Sequence, residues 1–158
     1  MIYNLKGDLL KSDCTIIAHQ ANCFKNMGSG IAKQIKKEYP LASIMDKQLP
    51  FSPEERLGQL SFAYIEERPL IIYNLYGQYF YGKGRHTDYQ ALSSSLHMMM
   101  QHIHSLPVHV KDRLQVIKIG LPYRIGCGLG GGRWNKVKDI LEFISSKHKE
   151  DIYLYSLD

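Results

Sequence analysis

Six short apolar runs, rich in β-branched and aromatic residues, alternate along this chain with segments of helical periodicity. The runs cover residues 2–5, 15–18, 60–65, 70–76, 116–121 and 152–157. Their length and residue types predict β-strands. Strands that alternate with helices are typical of an α/β domain, in which helices cover both faces of a mostly parallel sheet.

Three of the intervening segments carry apolar side chains at helical spacing. Ile31 and Ile35 lie one turn apart, and Pro40 predicts the end of that helix because its ring cannot continue the backbone hydrogen bonds. The other two stripes have the same spacing over longer segments and consist of Leu92, Leu96, Met100 and Ile103, and of Trp134, Val137, Leu141 and Ile144. We therefore predict three helices that pack on the sheet.

The composition indicates one globular domain over residues 1–158. The 158 residues are 44% hydrophobic and 22% charged, which is enough to close a hydrophobic core. The net charge of +5 favours an anionic partner, although a solvated basic surface explains it equally well. Three cysteines without a CxxC motif predict no disulfide framework, no structural zinc and a cytoplasmic location. We expect neither a signal peptide nor a membrane segment.

Two glycine-bearing loops each follow a predicted strand and lead into a predicted helix. Five of the 13 glycines lie in residues 126–132, and a second cluster lies in residues 25–31. Glycine lets the backbone approach a ligand closely, and a helix N-terminus presents unpaired N–H groups to an anion. Together the loops predict a cradle for a diphosphate. The alternative is two tight turns without a ligand, and the match of residues 126–131 to the GxGxxG dinucleotide fingerprint is weak because only one strand follows.

Four short motifs occur in order along nearly the whole chain. They are Gly7-Asp8-Leu9, His19-Gln20-Ala21-Asn22-Cys23, Gly28-Ser29-Gly30-Ile31-Ala32, and Pro122-Tyr123-Arg124-Ile125-Gly126-Cys127-Gly128-Leu129 ahead of Trp134. In this order and spacing the chain resembles the macrodomain family. It is most similar to the branch that contains the terminal ADP-ribose protein glycohydrolase and the yeast-type ADP-ribose-1″-phosphate phosphatase.

The resemblance implies a three-layer α/β/α fold with a mixed sheet of about six strands, which binds ADP-ribose in a cleft. It implies that Asp8 accepts a hydrogen bond from the adenine N6 amine beside the Leu9 backbone, and that Asn22 holds the distal ribose. Leu157 packs against adenine, or else in the core, and Asp8 has the alternative role of a turn or cap residue. The remaining implied ligand-binding residues line the diphosphate and distal ribose and are Ala21, Gly28, Ser29, Gly30, Ile31, Arg124, Ile125, Gly126, Cys127, Gly128, Leu129 and Gly130.

The chain departs from the glycohydrolase at two catalytic positions. The family's lysine nucleophile falls near Gln78 and its acidic residue falls on Gly130, and neither replacement supports that covalent mechanism. His19 is the best remaining general acid or base, and a strand-end histidine bonded to backbone is the alternative. Asp88 is a second candidate for the general acid or base, but its position just before a predicted helix favours the role of N-cap. The other histidines lack metal-ligand spacing, so we predict no metal and no cofactor.

These observations leave three hypotheses for function. The first is that the protein binds ADP-ribose and hydrolyses derivatives at C1″, either ADP-ribose-1″-phosphate or ADP-ribosyl esters on proteins, with catalysis by His19 and Asn22. The second is a non-catalytic reader of ADP-ribose. The third is an RNA-binding module, which rests on the basic charge and is not favoured. The expected partners are ADP-ribose or an ADP-ribosylated protein, and no membrane.

Overall fold

The computed structural model describes residues 1–157. They contain one six-stranded sheet. Its strands are β1 (Ile2–Lys6), β2 (Ile16–Asn22), β3 (Leu60–Ile65), β4 (Leu70–Gln78), β5 (Ile119–Pro122) and β6 (Ile152–Ser156). Their spatial order is β1-β6-β5-β2-β4-β3. Only β3 pairs antiparallel, with β4, and the other four pairings are parallel. The structure therefore confirms the predicted mixed, mostly parallel sheet.

Helices cover both faces of the sheet and complete three layers. They are α1 (Gly30–Glu38), α2 (Pro40–Gln48), α3 (Pro53–Arg56), α4 (Tyr89–His104), α5 (Val108–Leu114) and α6 (Trp134–His148), with a 3-10 helix at Leu9–Lys11. Alternate residues of β2 pack on opposite sides: Ile16 joins the core under α4 and α6, whereas Ile17 joins the core with Ile35 of α1. Both faces of the central strands are therefore buried, as parallel sheets require.

Three helices are absent from the sequence prediction, namely α2, α3 and α5. Helix α2 starts at Pro40, with only Tyr39 between it and the end of α1, so no single apolar stripe runs through both helices. Its buried positions include the polar residues Ser43 and Asp46, which hide the helical periodicity. Helix α3 has only four residues, but a capping box between Ser52 and Glu55 is a signal that sequence inspection can find.

The carboxyl ends of β5, β2 and β4 lie side by side at one edge of the sheet. Strand β2 continues to Asn22, four residues beyond its predicted end, so the motif from His19 to Asn22 lies within a strand. Strand β4 likewise extends to Gln78. In sheets of this type ligands bind beyond such ends, where the strand-to-helix loops gather. Within the described residues, no helix is long and apolar enough to cross a membrane.

A candidate ligand cleft between two glycine loops

A cleft of about 1040 Å³ opens at the carboxyl ends of β5, β2 and β4. Both glycine loops line it, the first at residues 25–31 through Gly28 and Gly30 and the second at residues 126–132 through Gly126, Gly128 and Gly130. A β-carbon built on Gly30 would lie 3.8 Å from Cδ1 of Leu129, so the loops are in contact range across the cleft. The structure thus brings together the two segments that the sequence predicts to share a ligand.

The first glycine loop directs the amino end of α1 into the cleft. Gly30, Ile31 and Ala32, the first turn of α1, all line the cleft. The first amides of an α-helix have no intrahelical partner and carry the positive end of its dipole. Gly30 adopts φ +57°, a backbone conformation that glycine tolerates without strain. This turn can therefore donate backbone hydrogen bonds to an anion.

The second glycine loop is folded tightly on its own backbone. The amide of Gly132 donates to the carbonyl of Gly126 at 2.8 Å, and that of Gly131 donates to the carbonyl of Gly128 at 3.1 Å. A β-carbon on Gly130 would lie 2.6 Å from Thr87 Oγ1, so no larger residue fits there without rearrangement. The loop's compact shape accounts for its glycine content.

The amino end of α6 does not contribute to the cleft as the strand–glycine–helix pattern predicts. Its N-cap residue, Arg133, donates its amide to the Tyr89 hydroxyl at 2.9 Å. The next residue, Trp134, packs edge-on against Tyr123 with ring centroids 5.1 Å apart. Neither Arg133 nor Trp134 lines the cleft. Only the loop that precedes α6 lines the cleft there.

The charge of the cleft lining is positive. Lys83 and Arg124 are its charged side chains, and the lining formed by the described residues contains no carboxylate and no imidazole. Positive groups together with backbone amides favour an anionic ligand. The same composition leaves no ordinary general acid or base in the lining.

Asn22 lines the cleft, but its side chain also shapes the turn that follows β2. Its Oδ1 accepts from the amides of Phe24 at 2.9 Å and Asn26 at 3.4 Å. Its Nδ2 donates to the carbonyl of Asn26 at 2.7 Å. Because an amide nitrogen carries two hydrogens, one N–H remains for a ligand. Asn22 can therefore donate one further hydrogen bond beyond those within its own turn.

The His19 side chain is buried in the protein interior and does not line the cleft. Its side chain is 0% exposed, and Nε2 is 2.7 Å from Oδ1 of Asn74, its cross-strand neighbour. Asn74 uses its amide nitrogen as the donor to Ala42 and Ser61, so its Oδ1 accepts and His19 carries the Nε2 proton. Direct proton transfer to a ligand in the cleft does not fit this position. At Nε2 the hydrogen-bond partner is the Asn74 side chain, whereas the alternative named a backbone partner.

Burial lowers the pKa of His19 below its ordinary value of 6.5. Within residues 1–157 the Nδ1 atom is buried without a hydrogen-bond partner, and burial is the largest cause of the shift because it penalises the charged ring. The neutral form is therefore the form that the fold accommodates.

Because His19 is buried in its neutral form, we predict that the free energy of unfolding decreases as the pH falls below about 6.5. The pKa of His19 is lower in the folded state than in the unfolded state. The unfolded chain therefore binds the proton at a higher pH and is stabilised relative to the folded chain. We expect the loss of Tm between pH 7.5 and pH 5 to be smaller in His19→Gln, which keeps a donor for Asn74. The other histidines contribute equally to both proteins. Parallel Tm curves for the two proteins would contradict the prediction.

Four other predicted binding residues lie outside the cleft lining. Asp8 accepts the Leu10 amide at 3.0 Å and caps the 3-10 helix, which is its alternative role. Leu9 is the first residue of that helix and is buried in the core, and Cys127 is half-buried against the core that contains Val137 and Leu141 of α6. Leu157 follows β6 and is 76% exposed, so its predicted alternative of core packing is wrong. Adenine contacts by Asp8, Leu9 and Leu157 stay predictions.

The two positions that depart from the glycohydrolase, Gln78 and Gly130, both line the cleft. Beside them lies Gln20, which sequence inspection missed as a site residue. Gln20 Nε2 donates to Gln78 Oε1 at 2.8 Å and to Thr87 Oγ1 at 2.9 Å. Alternation along β2 predicts that Gln20 and His19 face opposite sides of the sheet, but it does not indicate which of them faces the cleft.

Nine further residues line the cleft that were not named individually as site residues, and they are Asn26, Met27, Ala32, Tyr81, Gly82, Lys83, Gly84, Pro122 and Tyr123. Gly82, Lys83 and Gly84 lie in the loop between β4 and α4, which therefore contributes to the cleft. Asp88 caps α4 by accepting the Ala91 amide at 3.0 Å, as predicted. Within residues 1–157 no three His, Cys, Asp or Glu side chains are grouped to hold a metal, and the absence of a metal stays a prediction.

Comparisons with known proteins identify the fold. No family model matches the chain. A protein of unknown function from Bacteroides thetaiotaomicron has a similar structure, with a TM-score of 0.76 and 22% identity over 98% of this chain and 97% of that one. The macrodomain of Mycobacterium tuberculosis DarG has a TM-score of 0.75 and 22% identity, over 98% and 97%. Thermosipho africanus DarTG in complex with ADP-ribose has a TM-score of 0.75 and 16% identity, over 97% of this chain and 41% of that one.

The chain therefore has the fold of a macrodomain, the class that its motifs predict. Among curated sequences, an uncharacterised 17.5 kDa protein from the tk-vs intergenic region of Enterobacteria phage T4 is 34% identical over 148 residues. The match covers 90% of this chain and 89% of the phage protein, and the chain belongs to the same family. The narrower placement in the glycohydrolase and phosphatase branch stays a prediction.

Proposed function

We propose that the cleft binds ADP-ribose, with the diphosphate held between the two glycine loops. The observation that carries this proposal is that both loops line one cleft, although about one hundred residues separate them in sequence. The volume of about 1040 Å³ is ample for a nucleotide-sized ligand. The similar Thermosipho africanus structure, described as a complex with ADP-ribose, supports the same ligand.

The chemistry of the lining suits each part of that ligand. Backbone amides at the start of α1 would donate to the diphosphate, and Arg124 and Lys83 would balance its charge. The free N–H of Asn22 would donate to a distal ribose hydroxyl. Asp8, capping the 3-10 helix through Oδ1, would use its other oxygen for the adenine amine, with Leu157 beside it.

Within this proposal, the lining favours a reader of ADP-ribose over a hydrolase. Attack of water at C1″ needs a group that accepts its proton, and the described lining holds no carboxylate or imidazole. His19, the predicted acid or base, is buried on the other side of β2. Hydrolysis of ADP-ribose-1″-phosphate or of an ADP-ribosylated protein is the second candidate function, favoured by the placement of Asn22 in the cleft.

Isothermal titration with ADP-ribose tests the binding proposal. We expect saturable one-to-one binding, with much weaker binding of AMP and of ribose 5-phosphate, because each lacks the bridged diphosphate. RNA should not compete with ADP-ribose. Salt-dependent binding of RNA without binding of ADP-ribose would overturn the proposal and select the RNA-binding alternative.

A turnover assay then separates the reader from the hydrolase. The protein is incubated with ADP-ribose-1″-phosphate and, separately, with ADP-ribosylated protein, and free ADP-ribose is measured. A reader releases none above the uncatalysed rate. Release that persists in His19→Gln and disappears in Asn22→Ala would instead establish a hydrolase that does not use His19.

A further inference from the structure

We propose that Thr87 is a positioning residue that holds the second glycine loop in its ligand-binding shape; this rests on the proposed function of the cleft. Thr87 lies in the β4–α4 loop, residues 79–88, outside the cleft lining and 7% exposed. Its Oγ1 donates to the carbonyl of Gly126 at 2.6 Å and accepts from Gln20 Nε2 at 2.9 Å. The single hydroxyl therefore links β2 to the glycine loop.

Backbone hydrogen bonds join the same two loops. The amides of His86 and Thr87 both donate to the carbonyl of Gly130, at 2.8 and 3.0 Å. A β-carbon on Gly131 would lie 3.0 Å from Cα of Arg85, so the loops touch backbone to backbone. Gly126 and Gly130, the two residues bound by this contact, are themselves cleft-lining residues.

The β4–α4 loop also contributes to the cleft directly. Its residues Tyr81 to Gly84 line the cleft. Gln20, held by Thr87, also donates to Gln78 at 2.8 Å. Because the Thr87 hydroxyl is bonded to both Gly126 and Gln20, its loss would loosen the second glycine loop relative to the rest of the lining. Binding sites that rely on backbone amides lose affinity when those amides are misplaced.

Removal of the hydroxyl should leave the fold intact. Without it, the Gly126 carbonyl keeps the amide of Gly132 at 2.8 Å. Gln20 Nε2 keeps Gln78 Oε1. No buried group therefore loses its last partner in Thr87→Val, and valine has nearly the same shape as threonine.

Thr15 offers a matched control elsewhere in the fold. It is 9% exposed, donates through Oγ1 to the Val116 carbonyl at 2.7 Å and accepts from the Lys118 amide at 3.0 Å. Thr15→Val thus also removes a hydroxyl that donates one hydrogen bond and accepts another, at a site that does not line the cleft. A general loss of stability would affect both valine variants, whereas a positioning role affects only Thr87.

The experiment measures ADP-ribose affinity for the wild type, Thr87→Val, Thr87→Ser and Thr15→Val, together with Tm. We expect Thr87→Val to bind on the order of tenfold more weakly, and Thr87→Ser to restore affinity because it keeps the hydroxyl. Thr15→Val should bind like the wild type. Normal binding by folded Thr87→Val, or equal losses in both valine variants, would overturn the proposal.

Hydrogen exchange of the unliganded protein gives a second, ligand-independent readout. Amides of residues 126–132 should exchange faster in Thr87→Val and at the wild-type rate in Thr87→Ser and Thr15→Val. Unchanged exchange in Thr87→Val would refute the positioning role. If the wild type does not bind ADP-ribose, the proposed function fails, and this exchange comparison still decides the role of Thr87.

Discussion

Gly128→Glu is expected to weaken ADP-ribose binding by about 100-fold or more, with the protein still folded. A β-carbon on Gly128 meets no heavy atom of residues 1–157 within 4 Å, so a side chain fits without moving the loop. The new carboxylate would project from a residue that lines the cleft, beside the proposed diphosphate. Like charges about 4 Å apart repel by roughly 1 kcal/mol in water and about 4 kcal/mol near a protein surface.

The control for this prediction is Gly128→Gln, which adds the same bulk without charge. If electrostatic repulsion dominates, the glutamine variant retains most of the affinity, and the defect of the glutamate variant shrinks as ionic strength rises. Both variants should keep the wild-type Tm, because the position is open to solvent. Wild-type affinity of a folded Gly128→Glu variant would show that the second glycine loop does not hold the diphosphate.

Arg56→Met is expected to lower the free energy of unfolding by roughly 3–5 kcal/mol, because it leaves a buried carboxylate without its partner. Arg56 is 0% exposed and donates to Asp46 Oδ1 at 3.0 Å and to the Tyr76 hydroxyl at 3.2 Å. It also donates to the carbonyls of Asp46, Leu49 and Phe51. One side chain therefore fixes the segment between α2 and α3 beneath the sheet.

Denaturant unfolding of four variants, Arg56→Met, Asp46→Asn, their double variant and Arg113→Met, tests this prediction. Arg113→Met removes an exposed guanidinium that donates to the Glu66 carbonyl, and it should change stability by no more than about 0.5 kcal/mol. Adding Asp46→Asn to Arg56→Met removes the unpaired charge, so the double variant should lose less than the sum of the single losses. A loss in Arg56→Met as small as that in Arg113→Met would refute the role of the ion pair.

Local patterns in the sequence predict most of the sheet. The run at residues 60–65 coincides with β3, and the apolar stripes of α1, α4 and α6 face the core as expected. Such patterns are readable because the period of apolar residues follows directly from helix or strand geometry. Helix α2 cannot be predicted in this way, because its buried Asp46 is polar and the partner of Asp46, Arg56, lies ten residues away.

The sequence indicates the two glycine loops and the neighbouring residues Asn22 and Arg124, all of which line the cleft. Gly28 and Gly128 stand out in sequence because clustered glycines are unusual outside turns that need them. Gln20 and Thr87 carry no such signal, since their roles depend on a hydrogen bond between residues 67 positions apart. His19 has suitable chemistry for catalysis, but the pairing of β2 with β4 aligns it with Asn74 and seals it from the cleft.

The amino-acid sequence by itself determined that strands alternate with helices and that two glycine-rich turns precede helices, because both features depend on neighbouring residues. Tertiary structure decided which turns share a cleft, since strand order places the ends of β5, β2 and β4 together. It also decided that Gln20 faces the cleft region and His19 the interior, because strand pairing sets which side of the sheet each residue occupies.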